Sequence, residues 1–241
     1  MNLEKVKLPS NGLLYPEASG IGEYITIRPY TTAEEKSLYG SSGDVGGDML
    51  IKKCIVDPQI SDVTDLYTFD EYLLFVRLRA ITLGNQHSIY SVCPACRRRH
   101  KVEINLDELE VKYVEESMVP FTCKLNGCGR EVTLKMLTEK EKRTMEKKVR
   151  KQAEVDGKNV QEEQYVAKLM ATIDTVDGET MTPTEKKMFV EKMSGADAAE
   201  IRKVIREFAD IGLQTIVPVT CSCGYEYEEN AIGPVREFFR I

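Results

Sequence analysis

Six of the seven cysteines in this chain fall into three short-range pairs, each in or beside a strand-like segment. They are Cys93 and Cys96 in Cys-Pro-Ala-Cys, Cys123 and Cys128 in Cys-Lys-Leu-Asn-Gly-Cys, and Cys221 and Cys223 in Cys-Ser-Cys. Two such pairs meeting in space make the tetrahedral thiolate cage that Zn²⁺ prefers, and four thiolates leave no open position for chemistry. A site of that kind is structural, and it decides where the fold closes. Sequence spacing favours Cys93/Cys96 with Cys123/Cys128, because the gap is short, as in common zinc ribbons. The alternative, Cys93/Cys96 with Cys221/Cys223, spans most of the chain. Gly129 and Gly224 each follow a pair and could each supply a tight turn, so they leave both pairings open. A set of buried thiols without metal is the plainer alternative. His100 could stand in as a ligand but reads as a surface residue among arginines. Cys54, following Ile51-Lys-Lys, reads as a buried small hydrophobe.

The chain has 241 residues, 42% apolar and 30% charged, the balance of a globular protein with one sizeable core or a core plus an appendage. No apolar run approaches the ~18 residues of a membrane span. The first residues, Met-Asn-Leu-Glu-Lys-Val-Lys, lack the apolar stretch of a secretory signal, so a reducing compartment is expected, where Cys-X-X-Cys favours metal over disulfide. A net charge of −6 argues against a general nucleic-acid binder. Basic residues cluster at Arg97–Lys101 and Lys140–Lys151, the second interleaved with Glu139, Glu141 and Glu146 as on a solvated helix.

The pattern along the chain is α+β. Leu8–Pro16 reads as an extended arm, with two prolines and an Asn11-Gly12 turn signal. Ile25 and Ile27 alternate as in a half-buried strand. Thr32 with Glu35 predicts a short capped helix, and Gly40–Gly47 a loop. Thr68 with Glu71 opens a helix to about Leu83, apolar on nearly every side and so buried, with Gly84 as its stop. Strands are expected around His87–Val92 and Lys101–Asn105, and at Val119–Lys124 and Arg130–Met136. From Thr138 to Ile211 the pattern is helical, with Ile173 in an amphipathic stripe and starts at Thr138, Thr182 and Ser194. A strand at Thr215–Thr220 runs into the last cysteine pair, Tyr225–Tyr227 returns, and Gly233–Ile241 is a short tail.

Nothing in the chain resembles a catalytic constellation. It has two histidines, no nucleophile elbow, no His-Glu-X-X-His and no Walker-type loop, so no enzyme and no catalytic residue are expected.

The segment Leu8-Pro-Ser-Asn-Gly-Leu-Leu-Tyr-Pro16 resembles the opening of baseplate hub proteins of T-even-like contractile-tailed bacteriophages. The resemblance continues through Ile25–Glu35, Ile51–Val56, the helix Asp70–Arg79 and Cys93–Cys96, and returns at Val217–Gly224 and Phe238-Phe239. It implies that the first and last cysteine pairs are halves of one zinc knuckle site, Cys93, Cys96, Cys221 and Cys223. The last pair departs from the pattern as Cys-X-Cys, and Cys123/Cys128 is additional to it. The division that follows is an extended N-terminal arm at 1–22, an α+β core at 23–137 and 212–241, and a helical insertion at 138–211. The resemblance also implies a structural tail-tip component or assembly factor with a structural Zn²⁺. Its partners would be other phage baseplate or tail proteins rather than small molecules, and its place the host cytoplasm during assembly and then the virion. Leu13, Leu14 and Tyr15 would be the docking residues of the arm, whose alternative is an edge strand packed on its own domain. The other functional reading is an intracellular zinc-ribbon module contacting nucleic acid through Arg97–Lys101.

Overall fold

Short antiparallel ribbons, rather than one large sheet, carry the strands of this α+β chain. The computed structural model describes residues 2–40, 43–232 and 238–239. The chain forms two compact units, one from Met1–Val63, Phe69–Tyr113 and Ile211–Ile241, the other from Thr64–Thr68 and Val114–Asp210.

The first unit begins with β1 (Glu4–Lys7), the edge of a three-stranded sheet with β2 (Tyr24–Ile27) and β3 (Ile55–Asp57). Val6 and Leu8 are core residues, as are Ile25 and Ile27 across the register. The loop after β1 closes through Leu8 N–H on the Glu23 carbonyl, 2.8 Å. Gly12, at φ 72°, sits where a Cβ would be 2.7 Å from the Gly22 backbone, so only glycine lets the loop shut. The N-terminal segment thus forms an edge strand and a closed loop of this unit.

Between β2 and β3 lie α1 (Thr32–Glu35), α2 (Ser37–Gly40) and α3 (Gly43–Cys54). The cap of α1 is one residue earlier than its sequence pattern suggests: Thr31 pairs with Glu34, whose carboxylate also takes both Arg28 amino nitrogens and is held down to about 2 by that guanidinium. The expected glycine loop is helical from Gly43 on. Gly46 explains it, because a Cβ there would stand 2.6 Å from the Ser37 carbonyl oxygen, and its absence lets α3 pack directly on the backbone of α2. Cys54 ends α3 fully buried, and burial pushes its thiol up to about 11.

The central helix α4 (Thr68–Leu83) runs as its apolar content dictates, burying Leu73, Leu74, Phe75, Val76 and Leu78, and stops before Gly84 in the left-handed region. Two buried charges on it hold distant segments. Asp70 accepts from Ser10 N–H at 2.9 Å, from the Ser10 hydroxyl and from the Tyr15 hydroxyl at 2.7 Å. Burial outweighs those bonds and raises its carboxyl to about 6. Among the described residues Arg79 has no carboxylate partner and donates to the carbonyls of Phe238, Gly84 and Gln86. Its guanidinium lies 5.4 Å from the Phe238 ring. Phe238 and Phe239 are buried against Phe75; the rest of the expected tail lies outside the described residues. After α4 come β4 (Gln86–Val92), β5 (Arg99–Asn105) and β6 (Val111–Lys112).

The second unit holds β7 (Phe121–Lys124), β8 (Glu131–Leu134), α5 (Glu139–Asp156), α6 (Val160–Thr172), β9 (Ile173–Val176), β10 (Glu179–Thr180), α7 (Pro183–Lys192) and α8 (Gly195–Ala209). Its sheet has the order β10-β9-β8-β7. The hairpin at 121–134 thus belongs with the helical region, through pairs such as Val132 with Val176. Ile173 does not continue the stripe of α6; it starts β9, where it and Val176 are fully buried beside Leu125, Val132 and Ile201. Capping is local and legible: Thr138 with Glu141, Thr182 with Glu185, and Ser194 accepting from Asp197 N–H. The chain then returns to the first unit with β11 (Gly212–Leu213), paired with β6, and with β12 (Ile216–Thr220) and β13 (Glu226–Asn230), paired with each other.

Candidate metal centre

Two hairpins of the first unit, β4–β5 and β12–β13, are joined by tight tips that carry the first and last cysteine pairs. At the first tip Cys93 N–H donates to the Arg98 carbonyl and Arg97 N–H returns to the Cys93 carbonyl, both at 3.0 Å, with Arg97 at φ 60°. At the second, Cys221 N–H donates to Tyr225 and Gly224 N–H returns to Cys221, with Gly224 at φ 85°. In each tip one left-handed residue after the second cysteine reverses the chain and leaves both sulfurs on one side.

The tips face each other. The sulfur atoms of Cys93, Cys96, Cys221 and Cys223 all lie within 4.8 Å of one another, with Cys93–Cys223 at 3.8 Å and Cys96–Cys221 at 3.7 Å. All four are free thiols, and those distances are far beyond the ~2.05 Å of a disulfide. Cys93 and Cys221 are buried while Cys96 and Cys223 are exposed. The cluster could hold a metal ion. The crowding splits the thiols: the backbone N–H of Cys223, with the neighbouring thiols, brings Cys221 down to about 6. At Cys223 the Tyr225 N–H acts in the same direction, but the surrounding sulfurs outweigh it and drive that thiol up to about 11. Four crowded thiols cannot all ionise unless a cation offsets the repulsion.

A polar relay on the inner faces of the two hairpins sets their register. Ser91 Oγ lies 2.6 Å from Glu229 Oε2 and 2.7 Å from Tyr227 Oη, and Tyr227 Oη lies 3.2 Å from His100 Nε2. Since Glu229 only accepts, Ser91 donates to it, Tyr227 donates to Ser91, and His100 Nε2–H donates to Tyr227. At the tips, Arg98 reaches across to Ser222 Oγ at 2.7 Å. Of these partners His100 and the Arg97–Lys101 cluster stood out in the sequence, in other roles, whereas Ser91, Ser222 and Glu229 did not; the alternation Tyr225, Tyr227, Glu229 was the available signal. His100 lies half-buried on this inner face, outside the thiol cluster, rather than among surface arginines.

The middle pair is elsewhere. Cys123 is on β7, half-buried against the core of the second unit, where burial raises its thiol, and Cys128 is exposed in the β7–β8 turn. The pairing that spacing favours therefore does not form this cluster; it is made across the long gap, because β6 pairs with β11 and so joins the segments that flank the insertion. Of the expected docking residues, Leu13 is exposed, whereas Leu14 and Tyr15 are half-buried, Tyr15 being tied to Asp70.

A family model described as T4 bacteriophage base plate protein matches residues 1–240. The chain belongs to that family. No curated protein and no solved structure matches it. Membership makes it a phage baseplate protein, a structural constituent of the virion tail that works among other tail proteins. No described helix is long and apolar enough to cross a membrane. In this baseplate protein the thiol cluster brings together two segments of the first unit that flank the inserted second unit.

Proposed function

We propose that this chain is a baseplate hub subunit, or a factor for hub assembly, acting through protein–protein contacts and stabilised by one structural Zn²⁺ held by Cys93, Cys96, Cys221 and Cys223. The observation that carries the metal is the sulfur spacing. Ligands about 2.3 Å from a central Zn²⁺ stand about 3.8 Å apart in a tetrahedron, and two of the contacts here measure 3.7 and 3.8 Å. Soft thiolates suit Zn²⁺, and the closed four-sulfur set assigns it a structural rather than a catalytic part. The hub reading rests on the resemblance of the N-terminal segment and the knuckle, beyond the family match itself. Leu13, with Leu14 and Tyr15 behind it, is the proposed contact for a hub neighbour, presented on a loop that Asp70 keeps in shape. On the same reading the site belongs to the first unit, and the inserted part is the second unit, in which the hairpin at 121–134 joins the helices expected at 138–211, with no catalysis in either.

Two measurements test this. Elemental analysis of reduced, purified protein should give one zinc per chain; none would remove the metal assignment. Fractionation of tail-assembly intermediates should find the chain in hub complexes, and finding it only with peripheral baseplate parts would overturn the hub placement while leaving the metal untouched.

A further inference from the structure

The relay through Ser91, Tyr227 and Glu229 puts the inner faces of the β4–β5 and β12–β13 ribbons against each other. Their outer faces therefore look in opposite directions, and both alternate cleanly between exposed outer and more buried inner residues. On the outer face of β4–β5, Tyr90 and Val92 are 66% and 52% exposed. They lie across the register from Lys101 and Arg99, and the Arg99 guanidinium rests 4.5 Å from the Tyr90 ring. Glu103, the one acid on that face, is engaged by Lys101 at 3.0 Å, and Arg97 adds a further charge at the tip. On the outer face of β12–β13, Ile216 is 56% exposed beside Pro218, opposite Asn230 and Glu228, with Thr220 opposite Glu226. Glu226 and Glu228 make no ion pair among the described residues. One face is thus apolar with a basic border, the other apolar with an acidic border, on the two sides of the paired ribbons.

We propose that these faces are the two halves of a head-to-tail interface, the basic face of one copy docking on the acidic face of a second copy of this chain. A nucleic acid would account for the basic face alone; a second copy accounts for both, including the exposed Ile216 and Pro218 that no polyanion would seek. The size of the faces decides the strength. Seven-residue strands span about 23 Å, so the footprint is well below the roughly 800 Å² per partner of a stable complex. Pairing in free solution is accordingly weak and salt-sensitive, and it strengthens where other contacts already hold copies side by side. Because the two patches differ, the contact is heterologous and adds copies in a row or a closing ring rather than stopping at a two-fold dimer.

The test uses the full, zinc-loaded chain in sedimentation velocity at low and high salt. The parent should show concentration-dependent association that high salt weakens. The variant R99E/K101E carries acid on both faces and E226K/E228K carries base on both. Each alone should weaken association by about tenfold or more through like-charge contact, with metal content and melting unchanged. An equimolar mixture should associate again, since each then meets its opposite. A parent that stays monomeric to about 1 mM, the weak limit of specific binding, would overturn the proposal. So would variants that associate as the parent does, or a mixture that does not. A parent that stays monomeric but binds a mixed-sequence single-stranded oligonucleotide, lost in R99E/K101E, would reassign the basic face to nucleic acid.

Discussion

The tip at Cys93–Arg98 and the tip at Leu125–Arg130 share one backbone design and differ in what fills it. In both, the first residue's N–H donates to the carbonyl five residues on, and the N–H of the fifth residue returns to the first carbonyl. The fifth residue is left-handed in both, Arg97 at φ 60° and Gly129 at φ 73°. Cys96 and Cys128 occupy the same place in the two turns. The first position separates them: Cys93 points its sulfur at three other thiols, whereas Leu125 is fully buried in the core of the second unit. The second tip is also tied to α8, through Gly127 N–H on Asp197 Oδ1 at 2.6 Å, and a Cβ at Gly127 would strike that same carboxylate. One turn can therefore be seated in a four-thiol cluster or on an aliphatic plug and a helix-terminal carboxylate. The second cysteine of such a turn joins a thiol cluster here only where the first position is also cysteine.

Removing the metal should have the largest effect. In small peptides a structural zinc supplies on the order of 10 kcal/mol of folding free energy; here the first unit has its own apolar core, so chelation or Cys221→Ser should lower stability by about 4 kcal/mol and the melting temperature accordingly, without abolishing folding. Zinc content and thermal melts, with and without chelator, read this out. A chelator-insensitive melt would break the comparison, because both tips would then be held by packing alone.

Leu125→Ala should come next, at about 3 kcal/mol, the usual cost of emptying a fully buried leucine site, with zinc stoichiometry unchanged. Loss of zinc in this variant would show that the tips are not independent. Gly129→Ala is expected to cost about 1 kcal/mol from its left-handed backbone alone, since a Cβ there meets nothing within 4 Å. Cys128→Ser should be the smallest, within about 0.5 kcal/mol and with full metal content, because its sulfur is exposed and joins no thiol cluster among the described residues. If Cys128→Ser instead lost metal, the pairing across the short gap would be the true one. Denaturant unfolding alongside metal analysis separates all three variants.

Much of the architecture was legible from local chemistry. The caps at Thr138, Thr182 and Ser194 are read from side chains that bond their own helix ends, and α4 from its apolar residues on every side, signals that need no distant partner. The misses share a cause. The α1 cap moved to Thr31 because Arg28 claims Glu34; the glycine segment became helix because Gly46 lies against Ser37; Ile173 became strand because β8 was there to pair with it. Each was decided by a contact outside the element itself, from six residues away for Arg28 and Glu34 to a separate strand for Ile173. The buried Arg79 gave no sequence signal at all, since its acceptors are backbone carbonyls that any residue could supply.

By itself the sequence determined the α+β class, the helix starts, the presence of three cysteine-bearing turns and the resemblance to phage baseplate proteins, because these rest on residue type and short-range spacing. Which two turns meet was decided only in three dimensions. Spacing pointed to the nearer pair, and the choice fell to the farther one because loop closure grows costly only slowly with length. Strand pairing of β6 with β11, and the seating of β4–β5 against β12–β13, then brought Cys221 and Cys223 to Cys93 and Cys96 across the inserted unit.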